Sequence, residues 1–508
     1  KDRYVFLSLL DIGDFVSVSG MIFKTKAGEL TVNVSNISLL TKSLHPIPSA
    51  FYGLKDIEER YRQRYLDLIV NPEIRRIFET RTRVIKNLRS ILDGEDFIEV
   101  ETPILQPIYG GATAKPFTTH HKTLDTDLYL RISDELYLKK LIVGGFEKVY
   151  EIGKYFRNEG IDRQHNPEFT MLEFYWAYST YEELMAFTEK MLSEVVKNVV
   201  GSYKVSYEGK EIDFTPPWPR ITFREALLTS SGLDIDKVKD EEGLLNFIKE
   251  KGIRVDLNGV VGFAPLLDII YKKIVRPTLT GPLFLTDHPY QMRPLAKRKE
   301  EDPGKAASFQ LITAGFELVN AYNELNDPIE QKNRWEEEMM LASKGLDEYQ
   351  VIDEDYIRAL EYGMPPTSGW GMGIDRFVAL LTDSHSIKDV IFFPTLRPES
   401  LSRHSGLDPE SSSDGSRLAG RDDKAPGLPI EPVGDFPSRE KVFQIVSSHI
   451  KNQNLLRHCL AVEAAMRALA RKFGGNEEAW GALGLIHDAD WEETKQDPSR
   501  HTVATLEW

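Results

Sequence analysis

Two arginines, Arg157 and Arg376, and two glutamates, Glu173 and Glu324, carry most of the chemistry this sequence can do. Arg157 follows a strand-like run in Phe156-Arg157-Asn158-Glu159-Gly160, and the chain returns through His165-Asn166-Pro167-Glu168-Phe169 to Glu173. Arg376 stands where Gly369, Gly371 and Gly373 lead into a helix starting around Asp375. A guanidinium fork matches phosphate oxygens bidentately, and a helix N-terminus adds its dipole and free N–H groups. The pair suits a polyphosphate, with one cation where charge develops at an α-phosphate and the other at the pyrophosphate end, and with acidic residues for Mg²⁺. Phe169 can stack on a base, and His165 can reach a phosphate. Glu173 with Tyr175, two apart on one face of a strand, and Glu324 could neutralise an ammonium in a desolvated pocket, where leaving it unpaired costs on the order of several kcal/mol. Together these groups could turn an amino acid into an acyl-adenylate. Its carboxylate would attack the α-phosphorus in line, so that positioning and charge supply the rate and no general base is needed. Taken singly the residues are ordinary: an Arg beside a Glu is commonly a surface ion pair, Gly-x-Gly a tight turn, and a strand glutamate solvated.

The elements that must position them are legible from periodicity. Apolar residues Ile74, Ile77, Phe78, Val84, Ile85, Leu88, Ile91 and Leu92 predict a helix over 73–93, ending at Gly94. Phe97–Glu101 reads as a strand stopped by Thr102-Pro103, and strand-like runs follow at 127–131, 148–156 and 168–177. A helix is expected over 181–200, a hairpin at 207–215, and an insertion of mixed helical segments over 233–275. Strands resume at 282–287 and 307–324, with helices near 328–344 and 353–362. This order predicts an α+β domain with a mostly antiparallel sheet flanked by helices. No G-x-G-x-x-G and no G-x-x-x-x-G-K-[ST] occurs, so neither Rossmann nor P-loop nucleotide binding is supported.

Around this core the chain changes character at both ends. Residues 1–47 alternate as a β-meander with a turn at Lys26-Ala27-Gly28, half of a small barrel. The chain opens on Lys1 inside strand-like sequence, which predicts a fragment lacking the first barrel strands. Residues 399–434, with Ser411-Ser412-Ser413 and scattered Gly, Asp and Pro, read as a linker, and helical periodicity returns from 435 to 508.

At 508 residues the chain needs about two to four domains. Its 41% hydrophobic and 28% charged residues suit a globular protein, and no apolar run or leader predicts a membrane span or secretion, so the expectation is cytoplasmic. One cysteine, Cys459, excludes a disulfide framework and a multi-cysteine zinc site. A net charge of −16 argues against non-specific coating of nucleic acid but leaves room for a local basic surface that reads a folded nucleic acid by shape.

Phe97–Pro103, the string from Phe156 to Glu173 and Gly371–Arg376 occur in the order and at the spacing of motifs 1, 2 and 3 of the class II aminoacyl-tRNA synthetases. Residues 1 to about 398 resemble that family, and the pocket residues resemble its lysine-specific group. The resemblance implies a partial OB-fold anticodon-binding domain over 1–47 and a catalytic domain over 48–398. It implies activation of L-lysine by ATP with Mg²⁺, transfer to the terminal 3′-hydroxyl of tRNA(Lys), and a homodimer through motif 1. It also implies roles. Arg157 would orient the α-phosphate and the substrate carboxylate, Arg376 would bind the γ-phosphate, and Phe169 would stack on adenine. His165 would assist at the triphosphate, and Glu159 would approach the base. Glu173, Tyr175 and Glu324 would take the substrate's side-chain ammonium beside Tyr322 as aromatic wall; Gly111 and Glu135 would take its α-amino group, and Asn320 its carboxylate. One departure stands out. Of the two acidic metal positions, Glu317 is present but the first is Gln310, and an amide binds Mg²⁺ more weakly than a carboxylate. Fewer ions, or one held through water, are expected. With its first strands absent, the chain is expected to activate lysine but to charge tRNA poorly.

Residues 435–508 resemble part of an HD phosphohydrolase domain, through Leu456-Arg457-His458-Cys459 and Ile486-His487-Asp488. That resemblance implies that His458, His487 and Asp488 hold a divalent metal that activates water, with His501 as a further ligand. Other readings are a lysine ligase acting on elongation factor P, against which residues 1–47 argue, a phosphohydrolase with a regulatory synthetase-like part, and a tRNA-binding scaffold.

Overall fold

Gly369-Trp370-Gly371-Met372-Gly373 alternates small and large side chains, and in the computed structural model of the chain it lies within a strand, Thr367–Gly373. Sequence reading takes these glycines for the approach to a helix. They form a strand because Trp370 and Met372 are buried in the core on one face, while the glycines leave space for side chains on the other. The structure describes residues 2–45, 47, 54–257, 259–346, 349–397, 437–473 and 475–494. They fall into two units, Tyr52–Glu399 and a second composed of Lys1–Phe51 with Ser400–Trp508. The expected linker 399–434 and His501 lie outside the described residues.

In Tyr52–Glu399 the sheet consists of β1 (Ile98–Glu99), β2 (Lys148–Phe156), β3 (Glu168–Ala177), β4 (Arg220–Thr222), β5 (Leu283–Thr286), β6 (Ser308–Thr313), β7 (Phe316–Asn323) and β8 (Thr367–Gly373). Their order is β4-β5-β6-β7-β8-β3-β2-β1. The inner six pair antiparallel, while β1 and β4 join the two edges in parallel. The expected α+β class and mostly antiparallel sheet are therefore present. The motif 1 strand is shorter than expected because only Ile98 and Glu99 find ladder partners on β2 before Thr102 turns to bond Glu151.

Helices α1 (Pro72–Gly94), α3 (Tyr181–Val200) and α4 (Ile374–Leu381) contribute to the same core as the sheet, and α2 (Glu135–Val143) lies beside β2 and β3. The α1 stripe Phe78, Val84, Leu88 and Leu92 is buried as its spacing requires. A Thr180–Glu183 capping box starts α3, and Gly201, at φ 85°, ends it. Trp370 stacks on Phe174 and donates from Nε1 to Thr188 on α3 at 2.8 Å, which locks β8 to β3 and to the helix behind it. The hairpin expected at 207–215 is shifted to Lys204–Tyr207 and Lys210–Asp213. The insertion is helical and has its own apolar cluster, built around Leu244, Leu266, Leu267 and Ile270.

In the other unit, Phe15–Lys24 and Leu30–Thr41 form one antiparallel hairpin with nearly every side chain exposed. The ladder carries a bulge at Ser19/Gly20, and a Cβ at Gly20 would collide with the Asn33 carbonyl. Asp2–Leu7 is helical, not strand-like. Of the expected partial OB-fold, the described residues form this hairpin and no closed barrel. Helices α5 (Arg439–His449), α6 (Gln453–Phe473) and α7 (Glu477–Ile486) pack on one another through Val446, Cys459 and Leu485.

Candidate active site

Strand register builds the floor of the site. Asn320, Gly371 and Glu173 form one cross-strand row over β7, β8 and β3, and Tyr322, Gly369 and Tyr175 form the next. Residues directly opposite in an antiparallel pair share a face, so four polar side chains converge over two glycines. A Cβ at Gly369 would collide with Glu324 Oε1 and the Tyr175 ring, and one at Gly371 would touch Glu173. A register shift between Leu311 and Ile312 leaves Leu318 unpaired on β7 and turns Glu317 to the side occupied by Asn320. Above this floor lies a cavity of about 380 Å³. Its walls hold Gly111, Glu135, Arg157, Glu159, His165, Phe169, Glu173, Tyr175, Glu317, Asn320, Tyr322, Glu324 and Arg376, the residues assigned to nucleotide and amino acid.

One end of the cavity is acidic. Glu173 accepts from Ser133 Oγ at 3.2 Å and from the Tyr175 hydroxyl at 3.3 Å. The Tyr322 hydroxyl contacts Glu135 at 2.8 Å, and Lys139 Nζ lies 2.7 Å from both Glu135 and Glu324. Glu324 is buried; its Oε2 is taken by Lys139, while Oε1 has no partner. Burial, with the Glu135 charge, pushes the Glu324 carboxyl up to about 8 against the pull of Lys139, and burial raises Glu173 to about 7. Next to Glu173, Asp134 is pushed well above the carboxylate range by burial and by the Glu173 charge, and it accepts from the Tyr155 hydroxyl at 2.5 Å. Gly111, at φ 79°, passes so close to Ser133 and Glu135 that a Cβ would crowd both.

The other end is basic. Arg157 lies over Phe169, 5.1 Å from its centroid, with Nε buried and unpartnered. Arg376 donates to the Glu317 carbonyl at 3.3 Å and lies 3.3 Å from His165 Nε2, whose Nδ1 is held by Asp162 at 2.8 Å. Burial, together with the charges of Arg157 and Arg276, works against the Arg376 cation. Guanidinium groups that repel one another in a partly dry wall gain when an anion enters. Asp375 accepts from Thr170 N and from Arg81, which fixes the start of α4 against β3.

Gln310, at the first of the two expected metal positions, lies beside Glu317. It lies in the same row as Asn320, but Tyr271 and His288 of the neighbouring segments cover it, and it does not line the cavity. Its Oε1 faces Tyr271 and His288 at 3.2 Å each, and its amide donates to Glu317. The donor set at this point is one carboxylate, Glu317, steadied by an amide. A carboxylate oxygen with an amide beside it is a hard donor set of the kind that suits Mg²⁺.

Sequence reasoning missed Ser133, Asp134, Lys139 and Arg293. Ser133 and Arg293 line the cavity. Lys139 was within reach as the i+4 partner of Glu135 on a helix. Arg293 sits in irregular chain and carries no periodic signal.

In the other unit, His458 on α6 and His487-Asp488 after α7 come together with ligand atoms within 4.8 Å of one another. The two Nε2 atoms are 3.3 Å apart, and Asp488 Oδ2 is 3.4 Å from His458 and 3.2 Å from His487. His487 Nδ1 lies 2.8 Å from the Gly484 carbonyl, a contact that holds the proton there and leaves Nε2 as a donor atom for a metal.

Residues 56–397 match the family described as tRNA synthetases class II (D, K and N). A lysine–tRNA ligase of Pelotomaculum thermopropionicum is 50% identical over 397 residues, 78% of this chain and 78% of that protein. One from Clostridium tetani is 51% identical over 400 residues, 78% and 80% of the two chains, and one from Aquifex aeolicus 52% over 395 residues, 78% and 66%. With a cavity acidic at one end and basic at the other, built on that family's antiparallel sheet, this chain belongs to the class II tRNA synthetases (D, K and N).

Proposed function

We propose that the chain is a lysine–tRNA ligase that activates L-lysine with ATP and passes it to the 3′ end of tRNA(Lys). One observation carries the lysine assignment: Glu324 Oε1 is buried, without a partner, in the wall of the cavity that also holds Arg157 and Arg376. A buried carboxylate oxygen left open is costly unless a cation completes it, and an aspartate or asparagine pocket would call for donors instead.

In this reading the lysine ammonium meets Glu324 and the Glu173–Tyr175 pair, with Tyr322 alongside. The α-amino group meets Glu135 near Gly111, and the carboxylate meets Asn320 and Arg157. Phe169 and Glu159 hold the base, while Arg376 and His165 hold the far phosphates. The lysine carboxylate oxygen forms a bond to the α-phosphorus, and the bond to the β-phosphate bridging oxygen breaks, releasing pyrophosphate. The tRNA 3′-hydroxyl then attacks the acyl carbon, and AMP leaves. Glu317 would hold Mg²⁺, which neutralises phosphate charge. Exposed Ile98 on β1, with exposed Ile104 and Leu105 shortly after the motif 1 segment, supports a homodimer through motif 1. No helix among the described residues is long and apolar enough to cross a membrane, and we place the enzyme in the cytoplasm. ATP–pyrophosphate exchange measured with each of the twenty amino acids tests the assignment: exchange should depend on lysine, and exchange with any other amino acid alone would overturn it.

A second reading concerns the other unit, where His458, His487 and Asp488 support a divalent metal site of HD type. Calorimetric titration with Mn²⁺ after chelation should show one site that the H487A variant loses.

A further inference from the structure

Lys139 is wholly buried on α2, one turn after Glu135. Its ammonium is 2.7 Å from Glu135 Oε1 and 2.7 Å from Glu324 Oε2, and lies 5.2 Å from the centroid of the Tyr356 ring. A methionine of similar volume would fill this space without taking a charge out of water, so packing alone does not explain a lysine here. Both of its carboxylate partners line the cavity, and each keeps an oxygen that Lys139 does not take. The groups facing this cluster are Glu135 with Asp134 at the start of α2, Glu173 and Tyr175 on β3, Tyr322 on β7, Glu324 after it, and Tyr356 on the helix Glu354–Glu361. Arg157 also acts on Glu173, from the opposite end of the cavity. Four acids sharing a dry site repel one another, and without an internal cation they take up protons. A protonated acid cannot hold an ammonium by charge.

We propose that Lys139 is a positioning residue for the amine-bearing substrate, a built-in ammonium that occupies one oxygen of Glu135 and one of Glu324, favours the charged form of Glu324 against its burial, and leaves Glu324 Oε1 open for the incoming ammonium. The inference rests on the lysine reading and extends it: specificity comes from the acids together with the buried cation that fixes how many of them are charged. The strongly raised affinity of Lys139 for its own proton, owed to Glu135 and Glu324 against the opposing effect of burial, is consistent with a permanent charge.

The test is lysine-dependent exchange by the whole chain between about pH 6.5 and 9, comparing wild type, K139M and K139R. K139M should raise the lysine KM by about tenfold or more near neutral pH. The gap should narrow as pH rises and the acids ionise without help, while the ATP KM stays within about twofold. K139R should recover part of the loss. A lysine KM for K139M within about twofold of wild type at every pH overturns the inference. So does a parallel rise of lysine and ATP KM with no pH dependence, which marks a merely structural role. Should K139M fail to fold, calorimetry of lysine binding to wild type in two buffers of different ionisation enthalpy decides. Release of about one proton or fewer near pH 7.5 supports the inference, and release of about two or more overturns it. Absence of lysine-dependent exchange in wild type would sink the ligase reading itself, whereas wild-type exchange with an unaltered K139M sinks this inference alone.

Discussion

A carboxyl group raised by burial binds an ammonium only once it has lost its proton, and this sets the behaviour of single residues here. Glu324 is held up to about 8, by burial first and by Glu135 second. Below that pH it is increasingly neutral, and above it charged. The lysine KM of the wild type should therefore fall as pH rises from 7 through 8, while the ATP KM changes little; a lysine KM that rises over this range would contradict the assignment. Glu324→Gln should weaken lysine by about 2–4 kcal/mol with little effect on ATP, since it removes the charge but keeps the shape. Unchanged lysine affinity would discredit the pocket. At the basic end, Gln310 holds Glu317 through its amide. Q310E should lower the Mg²⁺ concentration needed for half-maximal exchange, because a second carboxylate beside Glu317 raises affinity for a hard cation; an unchanged Mg²⁺ dependence would show that Gln310 acts only in packing.

Strands and helices serve the site through register and clearance. The alternation Gly369-Trp370-Gly371-Met372-Gly373 places two large side chains in the core and three glycines towards the cavity, so β8 pays for its poor strand propensity with Trp370 packing. G369A should raise the lysine KM strongly, measured by exchange, since the added methyl group meets Glu324 Oε1 and the Tyr175 ring, both in the cavity wall. By contrast, Leu88→Ala, on the wholly buried stripe of α1, should cost about 2–5 kcal/mol of stability, measured by denaturant titration, and leave the ratio of lysine to ATP KM unchanged.

On the scale of the whole chain, every residue of the cavity wall comes from within Tyr52–Glu399, and the His458–His487–Asp488 cluster belongs to the other unit. Deleting residues 437–508 should therefore leave lysine-dependent exchange at the wild-type level; a loss of exchange would show that the helical segment takes part in activation. Residue type and period alone place acidic and basic side chains on the helices and central strands that line the cavity. Arginines of a type suited to phosphate, glutamates suited to an ammonium, a 3.6-residue stripe on α1 and the runs at 148–156 and 168–177 are local signals of residue type and period. Tertiary structure alone decided that Glu324 keeps one oxygen open, that Lys139 occupies the other, that Gln310 lies under Tyr271 and His288, and that the Gly369–Gly373 run is a strand. These depend on cross-strand register and on which groups share a buried volume. Burial and proximity between residues far apart in sequence have no period along the chain, so they emerge only when the sheet closes over its helices.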